Sequence, residues 1–259
     1  MSPEEVILRK EGKVAYLLIH REKALNALNL SVMTRLDQIF SELENDEEVL
    51  VIIITGAGSK AFVAGADINE IREAGDKRTE LIRKGQKIFL KIRNSSKVVI
   101  AGINGYALGG GCELAMACDI RIASENAKLG FPETTLGVMP GYGGTQLLPR
   151  LIGMGWAKYM IFTGETLTAM EAYQLRLVEK VCSRESLMDE VNRLAKKIAS
   201  NGPLAVKACK RAIHKGMEFP LEEALRIEMQ EYDRVARSKD AEEGLTSFIG
   251  KKPPIFTGK

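Results

Sequence analysis

Two glutamates twenty positions apart, Glu113 and Glu133, stand where carboxylates could do chemistry. Glu113 is followed by Leu114, Ala115, Met116, Ala117 and Cys118, a stretch with no polar face to keep its carboxylate in water. A glutamate is rarely fully buried without a partner, and an uncompensated buried charge is costly. Glu113 is therefore either half of a buried ion pair or a group lining a cleft. Glu133 follows Gly130-Phe131-Pro132, where an acid can also serve only to complement the positive end of a helix. Two carboxylates converging on one cleft are the usual apparatus for moving protons, one as acid and one as base.

Two segments rich in glycine and alanine lie beside expected helices: Ala61-Phe-Val-Ala-Gly-Ala-Asp-Ile-Asn69 and Ala107-Leu-Gly-Gly-Gly111. Small residues let backbone approach a ligand, and N–H groups at a helix start have no intrahelical partner. Two such groups aimed at one point would hold a developing oxyanion; the plainer alternative is that the glycines only turn the chain. Gly56-Ala-Gly-Ser-Lys60 follows an apolar run but lacks the spacing of a phosphate loop. Gly141-Tyr-Gly-Gly-Thr-Gln146 reads as a tight turn before a helix.

Composition narrows the classes. A chain of 259 residues, 45% hydrophobic, fits one large domain or one domain with an appendage. Its net charge of +3, from 37 basic and 34 acidic residues, gives no footprint for nucleic acid. The longest apolar run, 49–54, is far too short to span a membrane. The N-terminus, Met1-Ser-Pro-Glu-Glu5, has neither a basic start nor an apolar segment, and a cytoplasmic protein is expected. Four cysteines without a C-x-x-C pair read as free buried thiols. Two histidines, His20 and His214, argue against a Ser/His/Asp triad or a multi-histidine metal site.

The elements that must position the glutamates read as α/β. A strand pair is expected over 6–8 and 14–20, and a helix over 31–44 with Ser31 as its cap. Buried strands are expected over 49–55 and 97–103, a charged helix over 77–93, and a helix from about 111. Short strands are expected over 119–123 and 127–129. Beyond 143 the pattern is mostly helical, with one short strand near 178–182 and helices over 186–200, 204–214 and 221–237. The tail from 251 is extended. Strand–strand–helix units recur every forty to fifty residues, and the helices beyond 200 need another surface to cover them. Lys207, Lys210, Arg211 and Lys215 read as a solvated basic face, and Trp156 as a packing residue.

These segments resemble the enoyl-CoA hydratase (crotonase) family. The likeness runs through Arg21-Glu-Lys-Ala-Leu-Asn-Ala-Leu28, Ala61 to Ile71, Asn104 to Asp119, Gly130-Phe-Pro-Glu133 and Pro140-Gly-Tyr-Gly-Gly-Thr-Gln146. It continues through Leu167-Thr-Ala-Met-Glu-Ala-Tyr173 and on to Lys251, covering essentially the whole chain. The resemblance implies a crotonase-like β-β-α spiral over 1–200 carrying the acyl-CoA site, and a C-terminal helical oligomerisation region over 201–259. It implies a homotrimer or homohexamer and a coenzyme A thioester as substrate, with no metal and no cofactor beyond the coenzyme A of that substrate.

Residue by residue, it implies that Ala66 and Gly110 hold the thioester oxygen. Lys23, Ala24, Leu25, Ala64, Asp67 and Ile68 would line the coenzyme A channel, and Tyr232 and Lys251 would touch coenzyme A, from a neighbouring subunit. Relatives that add water carry glutamate at both positions held here by Glu113 and Glu133. The implied reaction is reversible syn hydration of a trans-2-enoyl-CoA, with Glu113 as base and Glu133 as acid. Alternatives are 3-hydroxypropionyl-CoA dehydration, double-bond isomerisation, or an RNA-binding protein on the same fold. The chain departs from the commonest family pattern at Phe131, Tyr142 and Leu147, the first two of which bear on the acyl pocket.

Overall fold

The computed structural model describes residues 4–259; Met1, Ser2 and Pro3, part of the N-terminal reading above, lie outside the described residues. Strands β1 (Val6–Glu11) and β2 (Val14–Ile19) form the expected antiparallel pair. Helix α1 (Leu30–Glu44) buries Val32, Met33, Leu36, Ile39, Phe40 and Leu43 as one stripe. Its cap is Asn29 rather than Ser31: the Asn29 side chain accepts the Val32 N–H at 2.8 Å. Asparagine caps as well as serine does, so the helix starts one residue sooner than expected.

From β3 (Val51–Gly56) onward the chain repeats one theme. β4 (Ala61–Val63) follows β3, then α2 (Ile68–Glu73) and α3 (Arg78–Asn94). β5 (Val98–Ile103) and β6 (Tyr106–Leu108) lead into α4 (Gly110–Ala117). β7 (Ile120–Ser124) and β8 (Lys128–Gly130) lead through a 3-10 turn, Pro132–Leu136, to α5 (Gly144–Thr163). The first strand of each unit joins a six-stranded sheet. With β10 (Lys180–Cys182) its order is β1-β2-β3-β5-β7-β10, parallel except for the β1–β2 pair. The second strand joins a four-stranded sheet, which with β9 (Thr166–Thr168) has the order β4-β6-β8-β9.

The three-residue strands β4, β6 and β9 and the short α2 are absent from the sequence reading. They are too brief to show a period, and they exist because neighbouring strands pair with them. The region beyond 143 therefore holds two strands instead of one. β3 is buried on both faces: Ile52 and Ile54 join the main core with α1, α3 and α4, whereas Val51 and Ile53 pack under α7 (Leu187–Ala199). Between β9 and β10 lies α6 (Ala169–Gln174), started by a capping box between Thr168 and Glu171.

Three helices close the chain: α8 (Pro203–Gly216), α9 (Leu221–Ala236) and the unforeseen α10 (Lys239–Ile249), capped by Ser238. The expected solvated basic face on α8 is interrupted. The Lys210 side chain is only 8% exposed and donates to Asp119 Oδ2 at 2.7 Å and to the Lys97 carbonyl at 2.8 Å. Arg211 pairs with Glu231 of α9 while staying partly exposed. Partners within the fold engage both cations, and Lys210 is drawn out of solvent. Trp156, expected inside, is 46% exposed and meets Tyr159 edge-on, with ring centroids 5.5 Å apart. Of the four thiols Cys112 and Cys118 are buried, but Cys209 is exposed.

Asp119 Oδ2 also accepts the Val99 N–H at 2.7 Å, so one carboxylate ties β5 to α8. Asp119→Ala would strand the Lys210 ammonium where it is only 8% exposed. Urea denaturation is expected to show a loss of about 3–5 kcal/mol; a loss within error of zero would mean that α8 is held by apolar packing alone.

Candidate active site

Three parallel strands deliver the site. In the four-stranded sheet Val63 of β4 lies opposite Ala107 of β6, and Leu108 of β6 opposite Gly130 of β8. The three strands therefore end along one edge. Ala66 stands just past the end of β4, Gly110 just past β6 and Glu133 just past β8. Glu113 lies one turn into α4, which starts at Gly110. The register thus gathers four residues spread over nearly seventy positions of sequence.

The glycines between them are there for space. A Cβ on Gly110 would lie 3.3 Å from the Ala66 nitrogen, which places the two backbone N–H groups side by side. Among the described residues neither the Ala66 nor the Gly110 N–H donates a backbone hydrogen bond. A Cβ on Gly109, where φ is +49°, would lie 2.5 Å from Glu133 Oε1. A Cβ on Gly111 would lie 1.9 Å from the Val63 carbonyl oxygen, so α4 can seat on β4 only with glycine there. The glycine run does more than turn the chain: two of its three members lie within α4 and are small because backbone presses against them.

Glu113 is 1% exposed, and its partners are backbone rather than a cation. Its Oε1 accepts the Tyr142 N–H and the Gly144 N–H, both at 2.7 Å. Gly143, at φ +119°, lets the chain turn both donors inward. The segment 141–144, read from sequence as only a turn, thus holds the first glutamate; its cluster of glycines was the available signal. Burial pushes the Glu113 carboxyl up to about 7; the Gly144 and Tyr142 N–H groups oppose this and the nearby Glu133 adds to it. Burial also raises Glu133, opposed only by its own backbone N–H, and its Oε2 is buried without a hydrogen-bond partner. Burial acts in the same direction on both; the two carboxyls differ in the donors they are given. Donors aimed at Glu113 favour charge there, and the absence of a donor at Glu133 Oε2 favours a proton there.

The expected channel residues also gather. Lys23 and Ala24 form a 3-10 turn, and the Leu25 carbonyl accepts the Ala64 N–H at 3.1 Å. Asp67 caps α2 through Asn69 and pairs with Arg21 at 3.1 Å, so its carboxylate is engaged in holding the loop. Ile68 opens α2 and is 55% exposed. Tyr232 is 66% exposed on α9 and Lys251 follows α10 with φ +52°; neither lines the clefts beside this site. Among the described residues no three His, Cys, Asp or Glu side chains group as a metal site would need, and no helix is long and apolar enough to cross a membrane.

Known proteins share this architecture over its full length. Residues 9–259 match the family described as Enoyl-CoA hydratase/isomerase. A short-chain-enoyl-CoA hydratase of Clostridium acetobutylicum is 49% identical over 256 residues, covering 97% of each chain. A crotonyl-CoA hydratase of Syntrophomonas wolfei is 44% identical over 260 residues, covering 100% of each. The crystal structure of an enoyl-CoA hydratase from Bacillus anthracis superposes with a TM-score of 0.96 at 40% identity, covering 98% of this chain and 100% of that one. With end-to-end similarity at this level and the β-β-α spiral in place, the chain belongs to the enoyl-CoA hydratase/isomerase (crotonase) family.

Proposed function

We infer that the chain is an enoyl-CoA hydratase, a hydro-lyase that reversibly adds water, syn, to a trans-2-enoyl-CoA to give a 3-hydroxyacyl-CoA. The observation that carries this is the pairing of a buried carboxylate held by two amides with a half-buried one whose Oε2 has no partner among the described residues, beside two unengaged N–H groups. The thioester oxygen accepts from Ala66 and Gly110, which draws electron density from the double bond. Glu113 takes a proton from water as the water oxygen bonds to the β-carbon. The electron pair moves to the thioester oxygen, and Glu133 gives its proton to the α-carbon from the same side. The product leaves the pair with one shared proton, as it began. This reading requires no metal and no cofactor other than the coenzyme A of the substrate.

Lys23, Ala24, Leu25, Ala64 and Ile68 would line the path of coenzyme A, with Asp67 holding that loop in shape. Lys23 and Ala24 border an open groove of mixed charge, in which Arg21 and Arg35 are paired with Glu5 and Glu4 and, among the described residues, Lys23 is the cation left to meet a phosphate. We place the chain in a homotrimer or a dimer of trimers in the cytoplasm, with residues 201–259 as the oligomerisation region. Ile213, Met217, Leu221, Met229, Phe248 and Ile249 are exposed on the last three helices, far more apolar surface than a solvated face carries. Tyr232 and Lys251 would then meet the coenzyme A of a neighbouring protomer. The RNA-binding alternative loses support from the pairing of Lys210 and Arg211 within the fold.

Glu113→Gln and Glu133→Gln are each expected to lower crotonyl-CoA hydration by about 10²–10⁴ while crotonyl-CoA still binds. Wild-type turnover in either variant, with trans-3-enoyl-CoA and 3-hydroxypropionyl-CoA assayed alongside, would refute the assignment. The pH profile follows from the Glu113 carboxyl at about 7. As the base it must be ionised, so kcat/KM is expected to fall as pH drops below about 7; a flat profile across neutrality would contradict this. Sedimentation velocity is expected to show three or six chains per particle, and a stable monomer would remove the proposed role of α8–α10.

A further inference from the structure

We propose that the Tyr142 ring is a fixed wall that limits the length of the acyl chain, and that it closes off a ready-made cleft that would take a longer tail. The inference rests on the hydratase reading for its substrate class, but its evidence is steric. Opposite edges of the ring are wedged between two glycines. On one edge a Cβ at Gly110 would lie 3.2 Å from Cδ2 and Cε2. On the other a Cβ at Gly85 of α3 would lie 2.2 Å from Cε1. The ring therefore reaches from Gly110 to the facing helix, where α3 lacks a side chain at Gly85, the position that the ring edge overlies. Phe89 packs against it with ring centroids 5.1 Å apart, and Tyr142 is only 7% exposed. A ring held on two edges and one face is a barrier rather than a flap.

Beyond it lies a cleft of about 400 Å³ between α1, α2 and α3. Leu28, Met33, Ile71, Leu81, Ile88 and Tyr142 are among its apolar lining, and charged side chains such as Asp37, Glu70, Lys84 and Lys91 also border it. Such a volume is within the range of small-ligand pockets, and the apolar part of the lining suits an alkyl tail. Tyr142 both lines this cleft and touches Gly110, so it stands between the cleft and the reacting thioester. Phe131, fully buried against the Gly144 side, closes off the other flank of Glu113.

The test is kcat/KM for trans-2-enoyl-CoA thioesters of four, eight and twelve carbons in wild type, Tyr142→Ala and Tyr142→Phe. Wild type and Tyr142→Phe are expected to share a steep fall beyond four carbons, because both keep the ring. Tyr142→Ala is expected to raise the eight-to-four-carbon ratio by up to roughly 250-fold, from about fourfold for each of the four methylenes newly buried. Should Tyr142→Ala lose turnover, calorimetric affinities for butyryl-CoA and octanoyl-CoA read the same ratio. The wall is refuted if wild type accepts eight carbons as readily as four, or if the ratio stays unmoved in Tyr142→Ala by both measures. A wild type that hydrates no chain length yet binds butyryl-CoA well above octanoyl-CoA would sink the hydratase reading and leave the wall standing.

Discussion

The parallel register of β4, β6 and β8 is the constraint from which the rest follows. These strands have three residues each and little stability of their own. They hold because each is the second strand of a unit whose first strand is buried in the six-stranded sheet. Their common direction brings three chain segments to one edge, and each segment delivers one functional group just past its strand end. The close approach of Gly111 to the Val63 carbonyl then presses α4 onto β4 and sets where Glu113 points. Any side chain at 111 would separate α4 from β4 before the chemistry could be assembled.

On that frame a difference in hydrogen bonding distinguishes two identical side chains. Glu113 is buried and Glu133 half-buried, and burial raises both. Backbone N–H groups from the 142–144 turn make a charge tolerable at Glu113, and nothing does so at Glu133 Oε2. The carboxylates need no cation, because the amides are fixed dipoles supplied by the fold. Tyr142 serves twice: its N–H steadies Glu113 while its ring fills the space beyond Gly110. Changes at this position therefore act on both charge and shape.

Long elements were readable from residue order because their own pattern declares them. α1 shows a helical stripe of six apolar residues, and β3 and β5 are rich in Val and Ile and buried on both faces. The short elements were not, since three residues cannot show a period and their existence depends on a neighbour. The same holds for charge. Lys210 and Arg211 look alike in a basic run, and only their partners Asp119 and Glu231, distant in sequence, engage them within the fold. The glycine cluster at 141–144 was visible, but its donors could be assigned to Glu113 only once α4 and the start of α5 were seen in contact.

Residue order alone determined that Glu113 must be buried, that glycine-rich backbone sits beside it, and that the chain is a repeating α/β fold of the crotonase kind. Those are local facts: apolar neighbours, small residues and motif order are properties of the chain before it folds. Tertiary structure alone decided that Glu113 is met by amides and not by a cation, that Glu133 lacks such a partner, and that Tyr142 stands between the site and an apolar cleft. Those depend on distances between segments far apart in sequence, which the packing of two sheets and their helices sets.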